Sequence, residues 1–350
     1  MDAAILARVE DFCTREGLLQ PGTPLRLAAA VSGGADSMAL LLLLLASLPR
    51  RKGRCRTSML PSLLRITVPL SLSSYARSAL STAQHLLVPR GLRLFGGGAQ
   101  AALAAYGVIQ GMSLPILLFP AALIAVIADL IVPELTEAQV QGRLRGLGYM
   151  LERLYRLGLF FSMAVAGACF FFAHPLGELI YSEPAAGQYI RLLAPLVPIM
   201  YMDTLVDGML KGVGEYRANM RYNIIDAATG LLLVWLLLPR YGVAGYLFSI
   251  SATELLNFAL SATRLTQVTV FRLQPLCWLL TAAAAVGGWW LLRLIFGRLL
   301  SRTGQPLILL LLVFLYLACY GAALLLCGAL RREELSWLFS LLRGEKSPKT

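Results

Sequence analysis

The chain has 350 residues, of which 58% are hydrophobic and 14% charged, where soluble domains carry roughly a quarter charged; the mean hydropathy is +0.70. These values exclude a soluble globular protein and indicate a polytopic membrane protein. The formal net charge of +12 does not indicate nucleic acid, because the basic residues fall in short loops between apolar runs rather than in one patch. The bilayer with its anionic headgroups, or an anionic substrate, is the expected partner. Cysteines 13, 55, 169, 277, 319 and 327 form no CxxC pair and mostly lie inside apolar runs, so they read as small buried hydrophobes. His85 and His174 are far apart in sequence, and no metal site is expected.

From Ala3 to Gly17 the pattern is a short amphipathic helix, with Ile5, Val9, Phe12 and Cys13 on one side. Leu25 to Val31 reads as a buried strand, and SGGADS, from Ser32 to Ser37, as a loop opening a helix at Met38. Strand, glycine loop and helix N-terminus make a phosphate cradle, with free N–H groups and the helix dipole facing the anion. The order of charges is the reverse of a signal peptide's, since the basic cluster RRKGRCR follows the apolar run. The run VSGGADSMALL resembles the PP-loop of N-type ATP pyrophosphatases, most closely that of the tRNA(Ile)-lysidine synthetases. The resemblance implies ATP binding by Ser32, Gly33, Gly34, Asp36 and Ser37, and makes ATP the one cofactor to consider. It covers about the first 48 residues, and one strand, loop and helix cannot bury a core of their own. Residues 1–49 are therefore expected to be a truncated α/β fragment without enzymatic activity, and 50–59 a basic linker.

From Leu60 onward eight transmembrane segments are expected, near 64–88, 103–132, 157–174, 189–210, 222–239, 242–265, 275–296 and 306–328. The first, ITVPLSLSSYARSALSTAQHLLVP, is serine-rich and carries Arg77 at mid-span, which suits a cavity wall better than a lipid face; the serines and alanines fit close helix packing equally well, a reading that explains Arg77 poorly. The second contains Gly107, Gly111, Pro115 and Pro120, and a break is expected there, with Gly111, Pro115 and Pro120 as hinge candidates or simply as a packing kink. Glu134 to Arg156 alternates acids, bases and apolar residues, and reads as an amphipathic helix lying along the membrane surface.

The stretch from Leu192 to Ile225 holds Asp203, Asp207 and Lys211 at i, i+4 and i+8, on one face of one helix inside an apolar run. A charge in hydrocarbon costs roughly 2.5 to 3.5 kcal/mol on insertion scales, so these side chains are expected to face a protein interior or a watery cavity. Two readings stand: a transport pathway, with either aspartate carrying a proton or sodium, or a Lys211 that snorkels and pairs with Asp207. Asp226, Glu254 and Asn257 are isolated polar residues in later spans, suited equally to interhelical hydrogen bonds and to substrate. With eight alternating spans, the side holding both termini collects about twenty Lys and Arg and the other about seven, so both termini are expected in the cytoplasm.

Four stretches carry a further resemblance: ITVPLSLSSYARSALSTAQHLLVPRGL, YGVIQGMSLPILLFPAALIAVIADLIVPELTEAQ, LLAPLVPIMYMDTLVDGMLKGVGE and LLPRYGVAGYLFSISATELLNFAL. Their order and spacing resemble the C-terminal half of the stage V sporulation protein B group, in the polysaccharide-exporter branch of the MATE-like flippases of the MOP superfamily. The resemblance implies an all-α membrane fold: a MATE-like lobe of six helices over 60–270, two additional helices over 271–330, and a basic cytoplasmic tail over 331–350. It implies a plasma-membrane transporter, not an enzyme, that moves lipid-linked glycans or cell-wall precursors by alternating access. Arg77, Asp203, Asp207 and Lys211 are then the cavity candidates, with Arg77 suited to a pyrophosphate. The first lobe of such a transporter is missing, so a second lobe or a second copy is an expected partner, and a gene fusion or a joined gene model with Met59 as internal start is the expected origin. The rival reading, an ATP-dependent tRNA(Ile)-lysidine synthetase, rests on the opening motif alone.

Overall fold

The structure, a computed structural model, describes residues 59–95, 98–271, 274–300 and 305–328. The PP-loop-like stretch, with Ser32, Gly33, Gly34, Asp36 and Ser37, and the basic tail lie outside the described residues. Every regular element among the described residues is helical. In chain order these are α1 (Met59–Leu94), α2 (Ala99–Val108), a π turn (Ile109–Ser113), α3 (Leu114–Leu118), α4 (Ala121–Val140), α5 (Leu144–Phe171), α6 (Ala173–Tyr181) and α7 (Pro184–Leu193). A 3₁₀ turn (Ala194–Leu196) leads into α8 (Val197–Gly212), followed by α9 (Tyr216–Val268), α10 (Pro275–Leu300) and α11 (Pro306–Leu326).

Local chemistry sets the boundaries. The Glu183 carboxylate accepts from the Ala185 N–H at 3.3 Å and Pro184 occupies the first turn of α7, satisfying an otherwise orphaned donor and supplying a preset φ. Gly214 turns the chain between α8 and α9 at φ 86°. Gly242 breaks α9 at φ 55°, ψ −129°, backbone that an L side chain rarely adopts. The arms 216–241 and 243–268 therefore fold back as a hairpin. Its register is visible where a Gly245 Cβ would meet the Leu237 carbonyl and where Arg264 pairs with Glu215.

The core lies where α8 is clasped by α4, α5 and the hairpin. Small residues permit the close approach: a Cβ on Gly208 would stand 2.7 Å from that of Ala128, and one on Gly212 2.8 Å from that of Leu135. Met202, Leu205, Val206, Met209 and Leu210 fill the spaces and are buried. The side chains of α1 pack along the first hairpin arm, Gln84 at Gly230 and Leu238 over Gly91. A second cluster joins Phe172 with Leu292, Leu309, Leu312 and Tyr316, binding α10 and α11 to α5.

Six helices are long and apolar enough to cross a membrane among the described residues: Ala99–Leu118, Gly146–Phe171, Pro184–Gly212, Tyr216–Val268, Pro275–Gly297 and Pro306–Leu326. The chain is a multi-pass membrane protein. The expected spans at 222–239 and 242–265 are the two arms of one such helix, while the expected first span lies within α1, which is not among the six. The surface helix expected from Glu134 to Arg156 is not formed. Gly142, at φ 69°, divides that stretch into the end of α4 and the start of α5, because Leu135, Leu147, Leu151 and Tyr155 find apolar partners inside the bundle.

Candidate functional site

The helix α8 presents Asp203, Asp207 and Lys211 one turn apart, and the hairpin supplies a partner at two of these levels. At the deepest, Asn257 Nδ2 donates to Asp203 Oδ2 at 2.8 Å. One turn on, Asp207 accepts from Asn223 Nδ2 at Oδ2 and from Ser261 Oγ at Oδ1, both at 3.1 Å. The same Asn223 amide reaches the main-chain oxygen of Asn219 at 2.9 Å and its Oδ1 at 3.1 Å. Asn219, Asn223, Asn257 and Ser261 are all buried. Three atoms of this seam, Asp203 Oδ1, Asn257 Oδ1 and Asn219 Nδ2, are buried without a hydrogen-bond partner. A buried polar atom left unpaired costs about 1–3 kcal/mol, which makes the seam the least satisfied polar stretch of the α8 interface.

The seam ends where Glu215, preceding the first arm, accepts from Arg264 Nε at 3.1 Å and Nη2 at 2.9 Å. Lys211 stands in the last turn of α8, where its charge complements the helix C-terminus. The pairing of Lys211 with Asp207 expected under one reading is not formed, because Asn223 and Ser261 occupy the carboxylate.

Arg77 is exposed on α1 beside Ser78 and Thr82, also exposed, and it is close enough to act electrostatically on Asp226 and Glu254. Those two carboxylates act in turn on Asp203. Four carboxylates thus share this part of the bundle with one guanidinium. Gly111 falls in the π turn, Pro115 lies in the first turn of α3 and Pro120 precedes α4, so the long second segment is interrupted twice, at the π turn and before α4. Beside it, Tyr246 Oη donates to Gln110 Oε1 at 2.9 Å, with the Tyr106 ring edge-on to Tyr246 at 5.0 Å.

Among the described residues no three His, Cys, Asp or Glu side chains converge on a metal position. The oxygen set of carboxylate and amide suits a proton or a hard cation. The sequence pointed to α8 and to Asn257. It missed Asn219, Asn223 and Ser261, whose only signal is a polar residue on the inward face of an apolar helix.

Residues 92–236 match the MatE family model. Two curated Bacillus subtilis (strain 168) proteins are similar to the chain. Stage V sporulation protein B is 24% identical over 208 residues, 59% of this chain and 40% of that protein. Sporulation protein YkvU is 22% identical over 175 residues, 50% of this chain and 39% of that protein. The chain thus matches about two fifths of the length of either relative. Among solved structures, the lipid II flippase MurJ in its inward closed conformation superposes with a TM-score of 0.54 at 12% identity, over 82% of this chain and 59% of MurJ. The chain shares that fold.

Proposed function

We propose that the chain forms the C-terminal lobe of a transporter that moves a lipid-linked glycan across the plasma membrane by alternating access. The fold shared with a lipid II flippase and the similarity to a sporulation protein support this reading. The observation that carries it is the seam itself: a lipid-embedded bundle retains Asp203, Asp207, Asn223, Asn257 and Ser261, with one oxygen each of Asp203 and Asn257 unmet. Four carboxylates against one guanidinium leave a negative surplus that an apolar bundle compensates with protons or a bound cation, and Asp203 and Asp207 are the coupling-ion positions. Arg77, with Ser78 and Thr82, is the pyrophosphate contact on the exposed face of α1. Gly111, Pro115 and Pro120 give the second segment its hinge, and Lys211 marks the cytoplasmic end.

In this reading the hairpin arms count separately and α1 also crosses, giving eight spans with both termini in the cytoplasm. A second lobe or a second copy completes the cavity. The test is reconstitution with whichever partner co-purifies, following a fluorescent lipid II analogue across the vesicle bilayer. Arg77→Ala is expected to lower the rate at least tenfold, beyond one charge-assisted phosphate contact, and Asp203→Asn to uncouple transport from the ion gradient. Unchanged rates in both variants would discard the reading. A second reading, ATP binding at Ser32 to Ser37, is favoured only by the motif VSGGADSMALL; ATP binding by the purified chain, lost in Asp36→Ala, would support it.

A further inference from the structure

We infer that α8 and the two hairpin arms enclose a polar shaft running from Asp203 to the basic end of the bundle, and that the Glu215–Arg264 ion pair is its gate. Through it a small cation or proton reaches the carboxylates without crossing the face that carries Arg77. The inference rests on the coupling-ion reading of Asp203 and Asp207 and adds the route and the gate.

Each turn toward the basic end brings polar groups to the same line. Asn257 meets Asp203; Ser261 and Asn223 meet Asp207; Asn219 follows Asn223 by one turn; and Arg264 with Glu215 closes the row. One turn advances about 5.4 Å, so the row climbs in steps a solvated ion can span. The residues between these positions, Met202, Leu205, Val206, Ala227, Ala262 and Leu265, are buried and apolar. Lys211 stands on the same face of α8 one turn past Asp207, and Asp226 and Glu254 continue the row beyond Asn223 and Asn257. Ordinary interhelical glue would satisfy itself, and this row does not. Its deep end leaves the acceptors Asp203 Oδ1 and Asn257 Oδ1 open, and its shallow end leaves the donor Asn219 Nδ2 open, with Asn219 and Asn257 each 5% exposed. The open acceptors at the deep end stand beside Asp203, where oxygen ligands suit a hard cation. At the mouth the gate side chains are 34% and 27% exposed. Gly212 and Gly214 flank the mouth, and Gly214 has open space around it.

The test uses the full chain with its six native cysteines replaced and silver ions, a monovalent thiol-reactive cation, added to either side of sealed vesicles. Arg143→Cys, exposed on the loop between α4 and α5, reports which side faces the basic end. Asn219→Cys is expected to react from that side only, and about fivefold faster when Glu215→Gln or Arg264→Gln removes the pair. Thr263→Cys, exposed on the second arm, is expected to show no such dependence. Exchanging the pair, with Glu215→Arg and Arg264→Glu together, is expected to restore the slow rate, which separates gating from loss of fold. Failure of Asn219→Cys to react while Arg143→Cys does, reaction from both sides, or a rate indifferent to the pair would each overturn the shaft. Sodium-22 binding and proton uptake that persist unchanged in both Asp203→Asn and Asp207→Asn would instead overturn the coupling-ion reading, whatever Asn219→Cys shows.

Discussion

The bundle treats buried polar groups in two opposite ways. Where α10 and α11 meet α5, side-chain donors reach protein acceptors: Trp278 Nε1 donates to Tyr155 Oη at 2.9 Å, Tyr320 Oη to the Phe160 carbonyl at 3.0 Å and Tyr316 Oη to the Ala285 carbonyl at 3.4 Å. Around them the Phe171 and Trp289 rings stack at 4.5 Å, with Phe172 edge-on to Trp289. Along α8 and the hairpin, by contrast, Asp203, Asn257 and Asn219 each keep an unmet atom. In a low dielectric a half-satisfied network is a liability. Beside it the aromatic sector pairs its tyrosine and tryptophan donors, and under the proposed reading the seam is the part of the fold that exchanges with a ligand.

The sharpest way to break this contrast is to damage the sector around α10. Trp289→Ala removes the stack on Phe171 and the edge contact with Phe172, and is expected to destabilise the protein by about 3 kcal/mol, the lower end for truncating a packed indole. Thermal unfolding in detergent reads this, while transport per folded molecule should stay within about twofold. The next largest effect belongs to the seam. Asn257→Leu strips Asp203 of its amide donor, and leaving a buried group without its partner costs about 1–3 kcal/mol. Transport is expected to fall far more than stability predicts. Equal losses in the two variants would mean that the seam is only packing.

Much of this division can be read from the sequence. Hydropathy alone locates the apolar segments, and the spacing of Asp203, Asp207 and Lys211 places them on one face of α8. The glycines and prolines of the second segment mark its interruptions. What sequence could not supply is the partner set, because Asn223 meets Asp207 from 16 residues away, and Asn257 and Ser261 meet their aspartates from 54. Asn219, Asn223 and Asp226, and Glu254, Asn257, Ser261 and Arg264, do recur at helical spacing, but that spacing does not say which helix each row faces. The stretch from Glu134 to Arg156 misled for a related reason: Glu134, Glu137 and Arg143 are exposed at the end of α4 and the turn after it, while Glu152, Arg153 and Arg156 are half-buried in α5, and local amphipathicity looks the same on one surface helix as on two helices joined at a turn.

Two glycines sharpen the contrast at a smaller scale. Gly288 lets α10 lie against the backbone of α11, where a Cβ would come within 2.9 Å of Tyr320 Cα, and Gly208 does the same for α8 against α4. Alanine at either position overpacks a close helix crossing, at about 1–3 kcal/mol. Gly288→Ala is expected to lower only the unfolding temperature. Gly208→Ala, one residue from Asp207, shifts the helix that carries the carboxylates and is expected to lower transport as well. A transport loss in Gly288→Ala of the same size would erase the distinction between the sectors.

The finest comparison removes one hydroxyl from each region. Tyr320→Phe deletes a bond to the Phe160 carbonyl inside a well-packed sector, and interhelical hydrogen bonds in membranes average about 0.6 kcal/mol. Its cost should be confined to a small drop in unfolding temperature. Ser261→Ala removes a donor from Asp207 Oδ1 and costs no more in stability by the same measure. But that oxygen is one of the two through which Asp207 would hold a cation, and losing its donor changes what else the oxygen can bind. The ion concentration giving half-maximal transport should therefore shift in Ser261→Ala and stay fixed in Tyr320→Phe. Two variants matched in stability and differing in ion dependence would localise the coupling chemistry to the seam; a shift in Tyr320→Phe alone would move it to the α10 and α11 sector.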